Sequence, residues 1–125
     1  MKKLLSIFLL SIILISCSPD RVLLNELTDK GTEESPIMYF EDKPFTGVGF
    51  DVYSNGLMMF EANYKNGKLD GLFKFWYLNG QLANSSNYKD GELDGLDKGW
   101  YEDGRLEYSF NWKDGIKQYP PPSKN

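Results

Sequence analysis

The sequence predicts an all-β protein, an antiparallel meander of about six to seven strands built from repeated β-hairpins that follow an N-terminal signal helix. Three observations predict it. A segment recurs along the chain at a fixed spacing, each copy contains two Asn-Gly or Asp-Gly dipeptides, and the stretches between dipeptides have strand length and are rich in aromatic and apolar residues. These features are typical of strands joined by tight turns.

The repeat is ungapped. Residues 47–56, 71–80 and 95–104 align position by position, and the spacing is 71 − 47 = 95 − 71 = 24 residues. The second halves, residues 63–67, 87–91 and 111–115, keep the same register. Each unit is therefore predicted to be one hairpin, and consecutive hairpins are predicted to pair side by side.

The turns are predicted from the recurring dipeptides. They fall at residues 55/56, 66/67, 79/80, 90/91, 103/104 and 114/115. Asn, Asp and Gly tolerate the positive φ that both central positions of a type I′ turn require. We therefore expect type I′ turns at all six positions.

Alternation along the strands predicts which side chains share a face. In the first unit Met58, Phe60, Ala62 and Tyr64 fall on one side, opposite Glu61. The middle unit has Asn84 and Ser86 on the apolar side, which makes it the thinnest part of the predicted core. The first strands carry aromatic residues on both sides, so one face can pack while the other presents rings to a partner.

The chain is divided into four predicted segments: residues 1–16 a signal peptide, 17–36 a tether and short N-terminal segment, 37–118 the repeat domain, and 119–125 a Pro-rich disordered tail. Within the second segment, residues 21–29 are the one plausible short helix. Residues 38–40 match the repeat in part, and a half-repeat strand there is expected to open the sheet.

The N-terminus predicts a lipid anchor. Lys2 and Lys3 precede an apolar run, residues 4–15, that suits a signal peptide and is too short to span a bilayer as a helix. The run ends in Leu14-Ile15-Ser16-Cys17, which resembles the bacterial lipoprotein box. This resemblance implies lipidation of Cys17, the only cysteine, and a place in the cell envelope. Ser18 after the cysteine implies the outer membrane if the source is Gram-negative.

Composition argues against several functions. From Cys17 onward the formal charge is (14 − 2) − 18 = −6, so neither nucleic acid nor an anionic lipid surface is expected to attract the chain. The chain has no histidine, the commonest general base. An enzyme, a cofactor, a metal and a small-molecule substrate are therefore not expected.

The candidate binding residues form an aromatic cluster. Trp and Tyr are favoured anchors of interfaces, although half or more of this cluster is expected to be core. Its members are Phe73, Phe75, Trp76, Tyr77, Trp100 and Tyr101.

Two sets of polar residues recur with the repeat, and each set has a functional and a purely structural interpretation. Asp70 and Asp94 could bind calcium or act as paired catalytic acids. Alternatively, each Asp completes a turn by hydrogen-bonding its own backbone. Asn63, Asn87 and Asn111 could form a row of side chains that binds a ligand. Alternatively, their side chains form hydrogen bonds with backbone beside the turns.

Four motifs of the repeat region stand out: Pro44-Phe-Thr-Gly47, Tyr64-Lys-Asn-Gly-Lys-Leu-Asp-Gly71, Trp76-Tyr-Leu-Asn-Gly-Gln-Leu82 and Tyr88-Lys-Asp-Gly-Glu-Leu-Asp-Gly95. Through these motifs the chain resembles the MORN-repeat variant family, the bacterial MORN-2 type often labelled YwqK-like antitoxins. This resemblance implies a protein-interaction or scaffold module, here at the envelope with an unidentified protein partner. Two alternatives stay open: an antitoxin or immunity-like inhibitor, and a module that binds lipid or cell-wall glycan through its aromatic face.

Overall fold

A computed structural model describes residues 20–120. Within this range the chain forms eleven strands and one turn of 3₁₀ helix, Leu24–Glu26. The strands are β1 (Arg21–Leu23), β2 (Thr28–Asp29), β3 (Met38–Phe40), β4 (Lys43–Pro44), β5 (Gly47–Val52), β6 (Met58–Lys65), β7 (Lys68–Trp76), β8 (Leu82–Lys89), β9 (Glu92–Trp100), β10 (Leu106–Lys113) and β11 (Ile116–Gln118).

The main sheet has eight strands in the order β1-β5-β6-β7-β8-β9-β10-β11. Strands β5 to β11 follow one another in chain order, and each pair is antiparallel. Only β1, at the edge, runs parallel to its neighbour. The predicted all-β antiparallel hairpin meander is confirmed.

Half of the dipeptide turns have the predicted geometry. Asn66, Asp90 and Asp114 have φ near +50°, and the glycine after each also has positive φ. Both central residues are then left-handed, which defines a type I′ turn. These turns join the second strand of each unit to the next unit.

For the other three turns the type I′ prediction is wrong. At residues 53–57 only Gly56 has positive φ, and its N–H donates to the Tyr53 carbonyl at 2.9 Å, as in a type I turn followed by a left-handed glycine. The Asn55 side chain accepts from the Leu57 N–H at 3.0 Å. The same bonds recur around Gly80 and Gly104. The three-residue loop therefore replaces the two-residue turn.

Two sets of hydrogen bonds tie each unit to the next and explain the exact repeat. The hydroxyls of Tyr53 and Tyr77 donate to the carbonyls of Trp76 and Trp100, at 2.6 and 2.8 Å. At the opposite end of the sheet, the N–H of Gly91 donates to the Leu69 carbonyl at 2.8 Å, and the type I′ turns before and after it make the same bond. A residue inserted into one unit would move these donors away from their acceptors.

The predicted helix at residues 21–29 is wrong. Residues 21–23 are strand β1, which pairs with β5, and only Leu24–Glu26 turn helically before β2. The Glu26 carboxylate accepts from the Leu23 N–H at 3.0 Å and holds this single turn. Strand pairing satisfies the backbone groups of β1, so no longer helix forms.

The half-repeat does not open the main sheet, which corrects the second N-terminal prediction. Strands β3 and β4 pair with β2 in a separate three-stranded sheet, because β1 occupies the free edge of β5. The two sheets meet where the Met38 N–H donates to the Gly67 carbonyl at 2.7 Å.

The core lies at this junction. Val22, Leu27 and Phe45 are buried and in contact, and Phe45 is only 1% exposed. Leu24, Met38, Phe40 and Tyr64 pack around them partly buried. The rest of the main sheet is a single layer among the described residues, so its two faces determine what the molecule presents.

Candidate functional site: the two faces of the sheet

Strand pairing assigns every side chain of the main sheet to one of two faces, since directly paired residues point to the same side. We call one side the ring face; it carries Phe60, Phe73, Phe75, Tyr88, Tyr108 and Phe110. We call the other side the tryptophan face; it carries Leu72, Lys74, Trp76, Leu96, Lys98 and Trp100.

The ring face packs on itself by alternating large and small residues. One cross-strand row reads Val22, Gly49, Ala62, Phe73, Ser86, Asp97 and Phe110. Phe73 lies between two small neighbours, Ala62 at 0% exposure and Ser86 at 3%. The Phe60 and Phe73 rings are stacked with centroids 6.1 Å apart, and Tyr88 meets Phe73 edge to face. The rings therefore cover the small residues without a second layer of structure.

A polar cluster interrupts the rings in the middle of this face. Asp97 accepts hydrogen bonds from Ser86 at 2.8 Å and from the Asn84 amide at 3.1 Å. The same amide lies 2.9 Å from the Tyr108 hydroxyl, and Ser86 also lies 2.9 Å from the Asn84 carbonyl oxygen. The thin part of the core predicted at Asn84 and Ser86 is thus a hydrogen-bonded network around one carboxylate.

The ring face also shifts the titration of its tyrosines. Burial raises the pKa of Tyr64, Tyr88 and Tyr108 above the ordinary tyrosine value. The Asp97 carboxylate raises the pKa of Tyr88 and Tyr108 further, because a second negative charge beside it is unfavourable. These hydroxyls act as neutral hydrogen-bonding groups at ordinary pH.

The tryptophan face carries seven of the eight basic strand residues of the main sheet. Its central row reads Leu23, Phe50, Glu61, Lys74, Ser85, Lys98 and Ser109. Glu61 is held by Arg21 at 2.8 Å, whose guanidinium also lies 4.3 Å from the centre of the Phe50 ring. Lys74 and Lys98 form no ion pair with the described residues.

The same face exposes apolar side chains between the lysines. Leu72 is 41% exposed and Leu96 is 48% exposed, although both lie in the middle of long strands. Trp76 and Trp100 end these strands on the same side and are half-buried. Exposed leucine beside lysine and tryptophan makes a surface suited to contact rather than to solvent alone.

The six predicted binding residues do not form one cluster. Phe73 and Phe75 belong to the ring face, and Trp76 and Trp100 to the tryptophan face. Tyr77 and Tyr101 follow the strands; the Tyr77 hydroxyl donates to a backbone carbonyl, and Tyr101 is 44% exposed. The sequence therefore found the aromatic residues but joined two separate surfaces.

The recurring aspartates serve the fold in a different way than predicted. Asp70 accepts from the Asp90 N–H, and Asp94 from the Asp114 N–H, both at 3.3 Å. The donors belong to the turns of the next unit. The prediction that each Asp bonds its own backbone is therefore wrong. Thr46 makes the same bond one unit earlier.

Two of the three recurring asparagines, Asn63 and Asn87, bond backbone as the simpler interpretation predicts, whereas the Asn111 side chain forms no such bond with the described residues. The Asn63 and Asn87 amides donate to the carbonyls of Leu72 and Leu96 at 2.8 and 2.9 Å. These carbonyls follow Gly71 and Gly95, which have φ of +101° and +110° and bulge their strands. Neither asparagine is left to read a ligand.

Sequence reasoning missed Asp97 and the lysines Lys74 and Lys98 as site residues. The signal was in the repeat itself. Compared with the preceding unit, three residues of the ring face change together from apolar to polar: Phe60 to Asn84, Ala62 to Ser86, and Phe73 to Asp97.

Two further findings concern residues 20–120. No group of three His, Cys, Asp or Glu side chains in this range is placed to hold a metal ion. No helix in the described part is long and apolar enough to cross a membrane. The predicted signal peptide and the lipid-attachment residue Cys17 lie outside the described residues.

Comparison with known proteins identifies one segment. A family model, the MORN repeat variant, matches residues 69–90, which span most of β7, the following turn and all of β8. This repeat is typical of protein- or lipid-interaction modules, and the repeat family is generally non-enzymatic. No curated protein and no solved structure matches the chain significantly.

Proposed function

We propose that the protein is a lipid-anchored, non-catalytic interaction module of the cell envelope, with its tryptophan face against an anionic bilayer surface and its ring face turned toward a protein partner. The observation that carries this proposal is the separation of charge between the two faces. The chain as a whole is acidic, but seven of the eight basic strand residues of the main sheet lie on the tryptophan face, against five acidic strand residues there.

Charge supports contact with an anionic surface. The basic strand residues of the tryptophan face are Arg21, Lys65, Lys68, Lys74, Lys89, Lys98 and Lys113. The acids assigned to that face by pairing and alternation are Glu61, Asp70, Glu92, Asp94 and Glu107, two fewer than the basic residues. Each basic residue near an anionic leaflet contributes about 1 kcal/mol of attraction. The net charge of the chain, which alone predicts no such attraction, does not describe this surface.

The apolar side chains support the same contact. Leu72 and Leu96 project between the lysines, and Trp76 and Trp100 lie at the end of the same strands. Leucine and tryptophan inserted at the boundary between headgroups and acyl chains gain from burial, while lysines reach the phosphates.

The position of the anchor fits this orientation. Cys17 lies three residues before Asp20, and a fully extended chain spans at most about 3.6 Å per residue. A lipid on Cys17 therefore holds Asp20 within roughly 11 Å of the anchoring cysteine. Arg21, the next residue, stands on the tryptophan face at the edge of the sheet.

The proposal is tested by sedimentation with liposomes. Unlipidated Cys17→Ser protein is mixed with phosphatidylcholine vesicles that contain anionic lipid, which attracts basic residues near the surface. A Lys74→Gln, Lys98→Gln variant is expected to bind roughly thirtyfold more weakly, since about 2 kcal/mol is lost.

The matched control changes the same charge elsewhere. Lys30 directly follows β2 of the small sheet, and Lys117 pairs with Trp112 on the ring face, so Lys30→Gln, Lys117→Gln is expected to bind as the parent does. Equal loss in both variants, or no binding by the parent, would contradict the orientation. Full-length protein that stays in the membrane fraction after Cys17→Ser at high salt would contradict the anchor.

A further inference from the structure

A cavity lies between the loop that precedes β3 and the type I′ turn that follows β8. Its volume is about 280 Å³. Its apolar lining comes from Pro36, Met38, Tyr64 and Leu69, and Tyr64 and Leu69 are paired residues of β6 and β7. The cavity contains none of the six aromatic residues predicted from the sequence as a binding cluster, and it meets the tryptophan face only at Lys68 and Glu92.

The lining is unbalanced in charge. It carries three carboxylates, those of Glu34, Asp90 and Glu92, against one ammonium, that of Lys68. None of the four forms an ion pair with the described residues. The complement of this lining is a cation whose stem is apolar.

The small sheet beside the cavity shows the same recognition chemistry within the chain. The Lys30 ammonium bonds the Asp42 carboxylate at 2.9 Å and lies 4.7 Å from the centre of the Tyr39 ring. A carboxylate and an aromatic ring together thus hold a long basic side chain at this end of the molecule. In the cavity, the carboxylates and the Tyr64 ring are present, and the one long basic side chain of the lining, that of Lys68, forms no ion pair with the described residues.

We propose that this cavity binds an arginine side chain of a partner protein. Its volume suits one long side chain rather than a whole cofactor, since ligand pockets usually start at about 300 Å³. The apolar lining accommodates the methylene stem, and the planar guanidinium reaches carboxylates on both walls, Glu34 on the loop and Glu92 on β9. Two lining residues, Lys68 and Glu92, also lie at the end of the tryptophan face, but the binding of a soluble peptide is measured without vesicles and so does not depend on the membrane orientation.

The experiment uses the purified full-length chain and two peptides, acetyl-Leu-Arg-Leu-amide and the same peptide with citrulline, the uncharged near-isostere of arginine. NMR is expected to show shifts of the Leu69 methyls and the Gly91 amide with the arginine peptide, and at least tenfold weaker binding of the citrulline peptide.

The variants separate a built site from general attraction to an acidic protein. Glu34→Gln, Glu92→Gln is expected to weaken binding of the arginine peptide about tenfold. Glu102→Gln, Glu107→Gln removes the same charge from exposed positions outside the cavity and is expected to leave binding unchanged. Equal binding of both peptides, equal loss in both variants, or no shift at Leu69 would overturn the proposal.

Discussion

The ring face and the tryptophan face are made by alternate residues of the same strands, yet they are built in opposite ways. On the ring face, rings cover small neighbours: Tyr108 lies over Gly99, where an added Cβ would collide with the tyrosine ring. On the tryptophan face, leucines stand open between lysines. A single-layer sheet can thus form a core on one side and leave the other for contact.

The largest expected effect on stability comes from a substitution in the core, at the buried end of the sheet. Phe45→Ala is expected to lower the free energy of unfolding by about 3 to 5 kcal/mol, because it empties the centre of the core beside the Phe40 and Tyr64 rings. Urea unfolding measures this loss. Leu57→Ala, at an exposed turn position, serves as the control and is expected to cost less than about 1 kcal/mol.

Substitutions in the polar cluster are expected to have the next largest effect on the free energy of unfolding, and they allow a direct comparison of the two faces. Asp97→Ala leaves the Ser86 and Asn84 donors short of an acceptor and is expected to cost about 1 to 3 kcal/mol. Combined with Ser86→Ala, the loss is expected to be smaller than the sum by at least about 0.5 kcal/mol.

The control for this cycle lies one residue away on the same strands. Ser85 and Lys98 are direct partners on the tryptophan face and share no hydrogen bond between their side chains in the described structure. Their alanine variants are expected to add within about 0.5 kcal/mol. Equal coupling on both faces would mean that the network is not specific to the ring face.

Alkaline pH is expected to destabilise the protein moderately through the ring-face tyrosines. The pKa of Tyr64, Tyr88 and Tyr108 is raised in the fold, so the unfolded chain loses these protons first. Their contribution is fully present below the ordinary pKa of 10.0 and is lost as pH rises through the folded values. Urea midpoints measured from pH 8 to 11 are expected to stay level and then fall.

A Tyr64→Phe variant sharpens this prediction, because its ring stays in place while the titrating hydroxyl is removed. The alkaline fall is expected to become shallower in the variant. An unchanged slope would assign the loss to other groups.

The smallest expected effect on stability is at Leu96. Because this side chain is 48% exposed on the tryptophan face, Leu96→Ala is expected to change the free energy of unfolding by less than about 1 kcal/mol. The same variant is expected to weaken liposome binding measurably. A large loss of stability with unchanged liposome binding would make Leu96 part of a core instead.

The sequence predicted the meander well because its rules are local. Turn dipeptides, period-two alternation and the 24-residue spacing all act within one hairpin, and the hairpin simply repeats. It failed at residues 21–29 because the choice between helix and strand there depends on the distant β5 edge, which Arg21–Leu23 pairs.

The candidate site was predicted less well for a similar reason. The residue types were found, but bulges at Gly71 and Gly95 and the loops after Trp76 and Trp100 decide which rings share a face. The net charge also concealed the basic surface, since many acids lie in turns and loops while lysines such as Lys74 and Lys98 lie on strands. Only the cross-strand pairing shows which aromatic and charged side chains lie on the same face of the sheet.

The two-face account is tested most directly by the three tryptophans of the chain. Trp76 and Trp100 lie on the tryptophan face, whereas Trp112 pairs with Gly95 on the ring face. Single-tryptophan variants of the chain, with phenylalanine at the other two positions, are bound to anionic vesicles that contain brominated acyl chains. The account predicts strong quenching of Trp76 and Trp100 fluorescence and little quenching of Trp112. Equal quenching of all three, or stronger quenching of Trp112, would contradict it.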